Sequence, residues 1–172
     1  MIHEVTGDLL LSKAAVLVHG VAPNDDFKHG LALALRERWP AMYRDFRHHC
    51  KTNSPKTGDV WLWSGVGPVG PVRIATLLTQ EPPAHEGAHA GKAHLEWVNQ
   101  ALRHLHHLAK EEKFESLALP RLATGVGGLD WAAVEPVIRT HLGGLGIPVW
   151  VYTTYRPGVK ATEATGAAVR GR

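Results

Sequence analysis

The segment 116–142 constrains the fold more than any other part of this chain. An apolar run leads into a turn with three glycines in four positions, and a helix-compatible stretch follows. A strand, a glycine turn and a helix in this order direct backbone N–H groups and the helix dipole at one point, which suits a phosphate. The spacing matches neither the Walker phosphate loop nor Gly-x-Gly-x-x-Gly. The segment therefore predicts either a phosphate-binding loop or a tight turn without a ligand. The three glycines are Gly125, Gly127 and Gly128.

Short apolar strands alternate with helical stretches along the rest of the sequence. This order predicts an α/β fold with a mainly parallel or mixed sheet. We expect one domain over residues 1–157. Residues 158–172 are small, polar and aperiodic, which predicts a disordered C-terminal tail. The predicted strands are 2–5, 15–19, 59–64, 72–78, 116–119 and 149–152, and the predicted helices are 31–39, 42–50, 92–113 and 131–142.

The composition limits the cellular location and the binding partners that we expect for this protein. A single cysteine, Cys50, excludes an internal disulfide and fits a reducing compartment. No apolar run approaches the ~20 residues of a membrane span, and no secretory signal is visible, so we expect a cytoplasmic protein without a membrane partner. A net charge of +3 favours a phosphate-bearing ligand. Basic residues form either a weak nucleic-acid contact or a solvated face: Arg36, Arg38, Arg44, Arg47, Lys51 and Lys56.

Three segments, taken in order, resemble a macrodomain. They are Gly7-Asp8-Leu9-Leu10, the loop 19–30 running into 31–35, and the segment 119–131. The resemblance covers about residues 1–155 and is closest to the branch of the terminal ADP-ribose protein glycohydrolase and the DNA ADP-ribosyl glycohydrolase antitoxins. It implies a three-layer α/β/α fold with a mixed, mostly parallel central sheet. It also implies that ADP-ribose binds in a crevice at the strand ends.

The resemblance assigns a ligand contact to each segment. Asp8 would accept a hydrogen bond from the adenine amine, or else it caps the short element that follows. The loop 19–30 would enclose the distal ribose, or else it is an ordinary surface loop. Tyr152 would pack near the adenosine, or else it is a half-buried strand aromatic. The expected ligand-binding residues are Asp8, Leu9, His19, Gly20, Gly30, Leu31, Thr79, Pro120, Arg121, Leu122, Thr124, Gly125, Val126, Gly127, Gly128, Tyr152 and Thr153.

The catalytic positions depart from that branch. The lysine that acts on the distal ribose in the glycohydrolases is Gln80 here, and an aspartate of the glycine-rich loop is Gly127. An amide can neither form a Schiff base nor act as a general base. His19 is a candidate base, or else a structural histidine. The carboxylates of the 19–30 loop could orient a water, or else they mark a turn. The catalytic candidates are His19, Asp25, Asp26 and Gln80.

Three functions remain open on this basis. The first is hydrolysis of an ADP-ribosyl linkage on protein or nucleic acid. The second is a non-catalytic reader of ADP-ribose. The third is a hydrolase of ADP-ribose 1″-phosphate or O-acetyl-ADP-ribose. Because His85, His89 and His94 lie in a segment rich in proline and glycine, without a cysteine or a set of carboxylates, we expect neither a metal nor a cofactor. We also expect a monomer.

Overall fold

A computed structural model describes residues 1–67 and 70–164. Six strands in this part of the chain form one sheet in the order β1-β6-β5-β2-β4-β3. All neighbouring strands run parallel except β3 and β4, which form an antiparallel hairpin. The strands are β1 (Ile2–Gly7), β2 (Val16–Val21), β3 (Val60–Gly67), β4 (Gly70–Leu78), β5 (Leu117–Pro120) and β6 (Val149–Tyr155), and a 3-10 turn spans Leu9–Leu11.

Four helices cover the two faces of the sheet. They are α1 (Gly30–Arg38), α2 (Pro40–Asn53), α3 (Leu95–Glu111) and α4 (Trp131–Leu142). Strand residues alternate between two cores because successive side chains point to opposite faces. In β2, Val16 and Val18 pack with α3 and α4, whereas Leu17 packs with α1 and α2. The predicted three-layer α/β/α class with a mixed, mostly parallel sheet is confirmed.

Local sequence explains where the helices lie. Pro40 occupies the first turn of α2, where its missing N–H costs nothing, and Ser54 ends the helix in the left-handed conformation. Met42, Phe46 and Cys50 recur every four residues and are buried against the sheet. Of the helices described, none has the length and apolar character needed to cross a bilayer.

The beginning of the predicted tail is ordered. Residues 158–164 follow β6 and lie against the β1 edge of the domain, where Val159 O accepts a hydrogen bond from Asp8 N at 2.7 Å. Ala161 packs beside the core, and Trp150 Nε1 donates to Ala164 O at 3.1 Å. The expectation of disorder is therefore wrong for 158–164, because backbone hydrogen bonds hold a segment whose composition is polar. Residues 165–172 lie outside the described part of the chain.

Candidate functional site

A cleft with two compartments opens at the carboxyl ends of the parallel strands. The polar compartment has a volume of about 540 Å³ and lies among the loops after β2, β4 and β5. The apolar compartment, of about 370 Å³, lies between the 3-10 turn, α1 and the end of β6. Both share Gly30, Leu31 and Pro120, so they form one continuous groove. Such a groove suits a ligand with a ring at one end and polar groups at the other.

The glycine-rich loop presents unused hydrogen-bond donors to the polar compartment. Its ends are closed by hydrogen bonds from Leu129 N to Ala123 O, at 3.0 Å, and from Gly128 N to Gly125 O, at 3.1 Å. The N–H groups of Gly125, Val126 and Gly127 have no acceptor among residues 1–67 and 70–164. All three residues line the compartment. Consecutive unpaired N–H groups form a concavity that favours an anion.

The N-terminus of α1 lines the same compartment. His29 precedes the helix without a side-chain capping bond, and Gly30 begins it in the left-handed region, at φ 56°. The N–H groups of Gly30, Leu31 and Ala32 find no acceptor within the described residues. An uncapped helix N-terminus carries about half a positive charge. Two independent sets of backbone donors thus serve the groove near the junction of its compartments.

At the apolar end, the side chain of Asp8 is committed to the protein. Its Oδ1 accepts from Leu10 N at 3.0 Å, and its Oδ2 accepts from Gly158 N at 2.9 Å. The capping alternative is thereby confirmed, and the contact with adenine stays a prediction. Tyr152 lines the compartment but donates its hydroxyl hydrogen to Glu163 Oε2 at 2.6 Å. Burial, reinforced by this carboxylate, raises the pKa of the Tyr152 hydroxyl.

Most of the expected ligand-binding residues line the groove. Leu9 and Tyr152 line the apolar compartment, and Pro120 lies at the junction. Nine further expected residues line the polar compartment, and two of these, Gly30 and Leu31, also line the apolar compartment. The nine are His19, Gly20, Gly30, Leu31, Arg121, Leu122, Gly125, Val126 and Gly127. Five expected residues are not among the lining residues: Asp8, Thr79, Thr124, Gly128 and Thr153.

Physical causes account for these five. Thr79 is fully buried behind the groove, and its Oγ1 has no partner among the described residues. Thr124 turns its hydroxyl back to Arg121 O at 2.7 Å. Thr153 O accepts from the Arg121 guanidinium at 3.4 Å. Asp8 is held as described above, and Gly128 supplies the left-handed residue that closes the loop, at φ 77°.

His19 lies at the back of the polar compartment as a buried, neutral ring. Its Nε2 is 2.8 Å from Thr76 Oγ1, and Nδ1 has no partner among the described residues. Burial lowers the pKa of His19 to about 3. A base this weak accepts a proton poorly near neutral pH. The proposal of His19 as a general base is therefore not supported, and a neutral hydrogen-bonding role fits the geometry.

The pH dependence of stability offers a test of this neutral state. The pKa of His19 falls from 6.5 to about 3 on folding, so the unfolded chain binds the proton first as pH drops. We expect His19 to make the free energy of unfolding rise with pH between about 3 and 6.5 and then level off. Urea denaturation of His19→Gln should show a shallower rise. His107→Gln, at an exposed position, should keep the wild-type slope. An unchanged slope in His19→Gln would contradict burial of a neutral ring.

The other catalytic candidates also line the polar compartment, yet most of their polar atoms are engaged. Asp25 accepts from Ala22 N at 3.1 Å and from Phe27 N at 2.9 Å, as the turn alternative predicts. Burial raises the pKa of Asp25. Gln80 Nε2 donates to Gly91 O at 3.1 Å. Asp26 is less constrained, since Lys28 N donates to its Oδ1 at 3.2 Å and Lys28 Nζ is 4.0 Å from Oδ2.

Two histidines that were not named individually as site residues from the sequence line the polar compartment. His29 precedes α1, and His89 belongs to the loop after β4; their ring centroids are 5.2 Å apart. The concentration of histidines around 85–94 was the only sequence signal for His89, and it was weighed as a metal site and set aside. In the described ranges, no group of three or more His, Cys, Asp or Glu side chains is assembled as for a metal.

The fold and the groove define an α/β ligand-binding domain of the macrodomain type. A family model described as Macro domain matches residues 18–138. This match spans more than half of the sequence, and the chain therefore belongs to the macro domain family.

Curated relatives give a more specific comparison. The chain is 28% identical over 153 residues to a DNA ADP-ribosyl glycohydrolase of Thermus aquaticus, covering 88% of this chain and 41% of the relative. It is 30% identical over 135 residues to a protein of the same name from Mycobacterium tuberculosis, covering 78% of this chain and 37% of the relative. The chain thus spans about two fifths of the length of these relatives.

Solved structures agree with that comparison. The macrodomain of Thermus aquaticus DarG superposes with a TM-score of 0.78 at 29% identity, covering 89% of this chain and 98% of that chain. The macrodomain of Mycobacterium tuberculosis DarG gives a TM-score of 0.78 at 27% identity, covering 92% and 99%. Thermosipho africanus DarTG in complex with ADP-ribose shares the fold at 23% identity, with a TM-score of 0.79, 92% of this chain and 42% of that chain.

Proposed function

We propose that this macrodomain binds ADP-ribose. The observation that carries the proposal is the row of N–H groups at Gly125, Val126 and Gly127 that have no acceptor among the described residues, in a groove that α1 also enters with an uncapped N-terminus. Backbone donors of this kind favour a diphosphate. The apolar compartment suits the nucleoside, and the polar compartment suits the second ribose. The relatives named DNA ADP-ribosyl glycohydrolase and the related complex with ADP-ribose support this assignment.

Calorimetry with ADP-ribose tests the binding proposal directly. We expect saturable binding of one ADP-ribose per chain at submillimolar concentration. AMP and ribose 5-phosphate are the matched ligands, because each keeps one end of ADP-ribose but lacks the diphosphate bridge. Both should bind at least tenfold more weakly, since neither uses the two sets of backbone donors together. Absence of binding at 1 mM ADP-ribose would contradict the proposal.

A second candidate function is hydrolysis of an ADP-ribosyl linkage on protein or nucleic acid. It is favoured by the names of the relatives and by Asp26, a half-buried carboxylate that lines the polar compartment. In this candidate mechanism, Asp26 orients a water at the anomeric carbon of the second ribose, and the bound diphosphate fixes the geometry. Gln80 acts as a hydrogen-bonding residue and not as a nucleophile, because a side-chain amide does not attack the anomeric carbon.

Release assays separate the enzyme from a reader. ADP-ribosylated DNA, ADP-ribosylated protein, ADP-ribose 1″-phosphate and O-acetyl-ADP-ribose serve as the four substrates. Release that is retained in Gln80→Ala and lost in Asp26→Asn would support hydrolysis assisted by Asp26. Turnover of only the last two compounds would favour the small-molecule hydrolase. If calorimetry shows binding and none of the four is consumed, the reader function stands.

Partners and location follow from the same proposal. We propose ADP-ribosylated protein or nucleic acid as the macromolecular partner, with the domain acting as a cytoplasmic monomer.

Some of the basic residues that could contact nucleic acid already make hydrogen bonds or ring contacts inside the domain. Arg36 Nη1 donates to Asp26 O at 2.9 Å and the guanidinium lies 4.0 Å from the centre of the Tyr43 ring. Arg47 Nη1 donates to Asn24 O at 3.4 Å. Arg44 and Lys51, on the exposed side of α2, are the residues proposed for a weak nucleic-acid contact.

A further inference from the structure

A second cavity lies at the β3 edge of the sheet. Its volume is about 300 Å³, and it opens between the end of α2, the start of β3 and α3. The described residues that line it are all different from those that line the groove. Gly58 N donates to Leu78 O at 2.7 Å, and Leu78 N donates to Asp59 O at 2.9 Å. The loop before β3 is therefore held against β4, and the cavity is separate from the proposed ADP-ribose site.

Aromatic and aliphatic residues form much of the cavity wall. Trp61 and His49 both line it, and their rings are stacked, with centroids 5.6 Å apart and an interplanar angle of 24°. The aliphatic lining residues are Pro55, Val60, Leu78 and Leu108. A flat, weakly hydrated group loses little by leaving water for such a wall.

The polar lining of the cavity offers hydrogen-bond acceptors. Asp59 Oδ2 accepts from Lys56 N at 2.8 Å, whereas Asp59 Oδ1 accepts no hydrogen bond from residues 1–67 and 70–164. His104 Nδ1 is 3.0 Å from Gly58 O, so this nitrogen carries the hydrogen. In the neutral ring, His104 Nε2 is then an acceptor. A ligand that only donates hydrogen bonds suits this lining.

The carboxylate of Asp59 lacks a cationic partner in the part of the chain that the structure describes. Neither Lys nor Arg is among the described residues that line the cavity, and none of the ion pairs found there includes Asp59. Burial lowers the pKa of His49 by more than Asp59 raises it, so the ring is neutral near pH 7. A half-buried carboxylate beside an aromatic wall attracts an organic cation.

We propose that this cavity binds a guanidinium group on a short aliphatic stem, as in an arginine side chain. A guanidinium has five N–H donors and no acceptor, which matches the acceptors at Asp59 Oδ1 and His104 Nε2. Its planar, weakly hydrated cation stacks on aromatic rings, and its methylene stem packs on aliphatic side chains. Two sources share this chemistry: a free guanidino compound and an arginine side chain of a partner protein. The inference is independent of ADP-ribose binding.

Titration of the intact chain with acetyl-arginine amide tests the inference. The indole N–H signal of Trp61 in NMR spectra, assigned with Trp61→Phe, reports binding in the cavity. The matched probe is acetyl-citrulline amide, which has nearly the same shape but no charge. We expect saturable binding of the arginine probe with a dissociation constant on the order of 1 mM. The citrulline probe should bind at least about tenfold more weakly. Equal affinities, or no saturable change with either probe, would overturn the inference.

Butylguanidinium separates the two sources, because it keeps the cation and the stem but lacks the peptide groups. Affinity equal to that of acetyl-arginine amide would indicate a free guanidino compound. Weaker binding than that of acetyl-arginine amide would indicate an arginine side chain of a polypeptide. Failure of butylguanidinium and acetyl-arginine amide to compete with each other would overturn the inference, since both are assigned to one cavity.

Asp59→Asn removes the charge and keeps an oxygen for the hydrogen bond from Lys56 N. We expect this variant to bind acetyl-arginine amide at least about tenfold more weakly than the wild type. Glu37→Gln makes the same change at an exposed position of α1 outside the cavity and should keep the wild-type affinity. Unchanged affinity in Asp59→Asn would overturn the inference. If that variant does not fold, the comparison of the arginine and citrulline probes on the wild type decides.

Discussion

Gly125→Asp should weaken ADP-ribose binding at least about 30-fold and leave the domain folded. A Cβ at Gly125 meets no atom within 4 Å, so the aspartate is accommodated without a steric clash. Its carboxylate enters a loop whose N–H groups have no acceptor within the described part of the chain and are proposed to bind the diphosphate. Like charges ~4 Å apart repel by about 4 kcal/mol at an effective dielectric constant of 20. Half of that value, allowing for screening, corresponds to about a 30-fold loss. Calorimetry with ADP-ribose measures it.

The matched control is Gly144→Asp. This glycine is exposed in the turn after α4, and its added Cβ also meets nothing within 4 Å. It changes the net charge by the same amount but lies outside the groove, so the affinity should stay within twofold. Gly125→Ala should lie between the wild type and Gly125→Asp. Equal affinities of Gly125→Asp and Gly144→Asp for ADP-ribose would contradict the proposal that the glycine-rich loop binds the diphosphate.

Phe27→Ala should lower the free energy of unfolding by about 3–5 kcal/mol, the usual loss when a large, buried aromatic side chain is replaced by alanine. Phe27 lies in the loop after β2, yet its side chain is fully buried. It contacts the rings of His19, Tyr43 and Phe46 at centroid distances of 5.5, 5.3 and 5.0 Å. Its backbone has φ 54°, a conformation that a non-glycine residue keeps only when packing holds it. Urea denaturation measures the loss.

The same substitution should also reduce affinity for ADP-ribose, because Phe27 anchors the loop that leads to His29 and the start of α1. Leu33→Ala is the control: this residue lies on α1 and is 37% exposed, so its removal should cost less than about 1 kcal/mol. A loss below 1 kcal/mol in Phe27→Ala would contradict its anchoring role. Intact affinity in a destabilised Phe27→Ala would show that the loop is positioned without it.

The sequence departs from the glycohydrolase branch at Gln80 and Gly127, and close packing at Gly127 leaves no room for a side chain. A Cβ at this position would come within 2.7 Å of Ala123 O and 2.8 Å of Ala93 Cβ. An aspartate in place of Gly127 would therefore require a shift of the loop or of the segment around Ala93, whose N–H donates to Gly127 O at 3.0 Å. Gln80 lies beside this contact, in a single bridge with Ala93. The two departures thus belong to one packed arrangement of the loops after β4 and β5.

The sequence by itself determined the layers and the position of the groove. The short apolar run that predicts β2 and the recurrence of buried residues every four positions in α2 are local signals that survive in the tertiary structure. The glycine-rich loop was recognisable because its conformation depends on residues close together in sequence. For the same reason, the pairing of Asp8 with Leu10 N was open to prediction as a cap.

Only the tertiary structure decided how the polar groups are used. Gly158 is 150 residues from Asp8, and Glu163 is 151 residues from Ser12, so no local pattern announces those bonds. His19 looked like a base at the mouth of a loop, and burial against Phe27 made it a neutral ring. His29 and His89 meet because two loops that are distant in sequence converge at one sheet edge. Burial and long-range hydrogen bonding set the chemistry of a side chain, and both depend on contacts that only the folded chain creates.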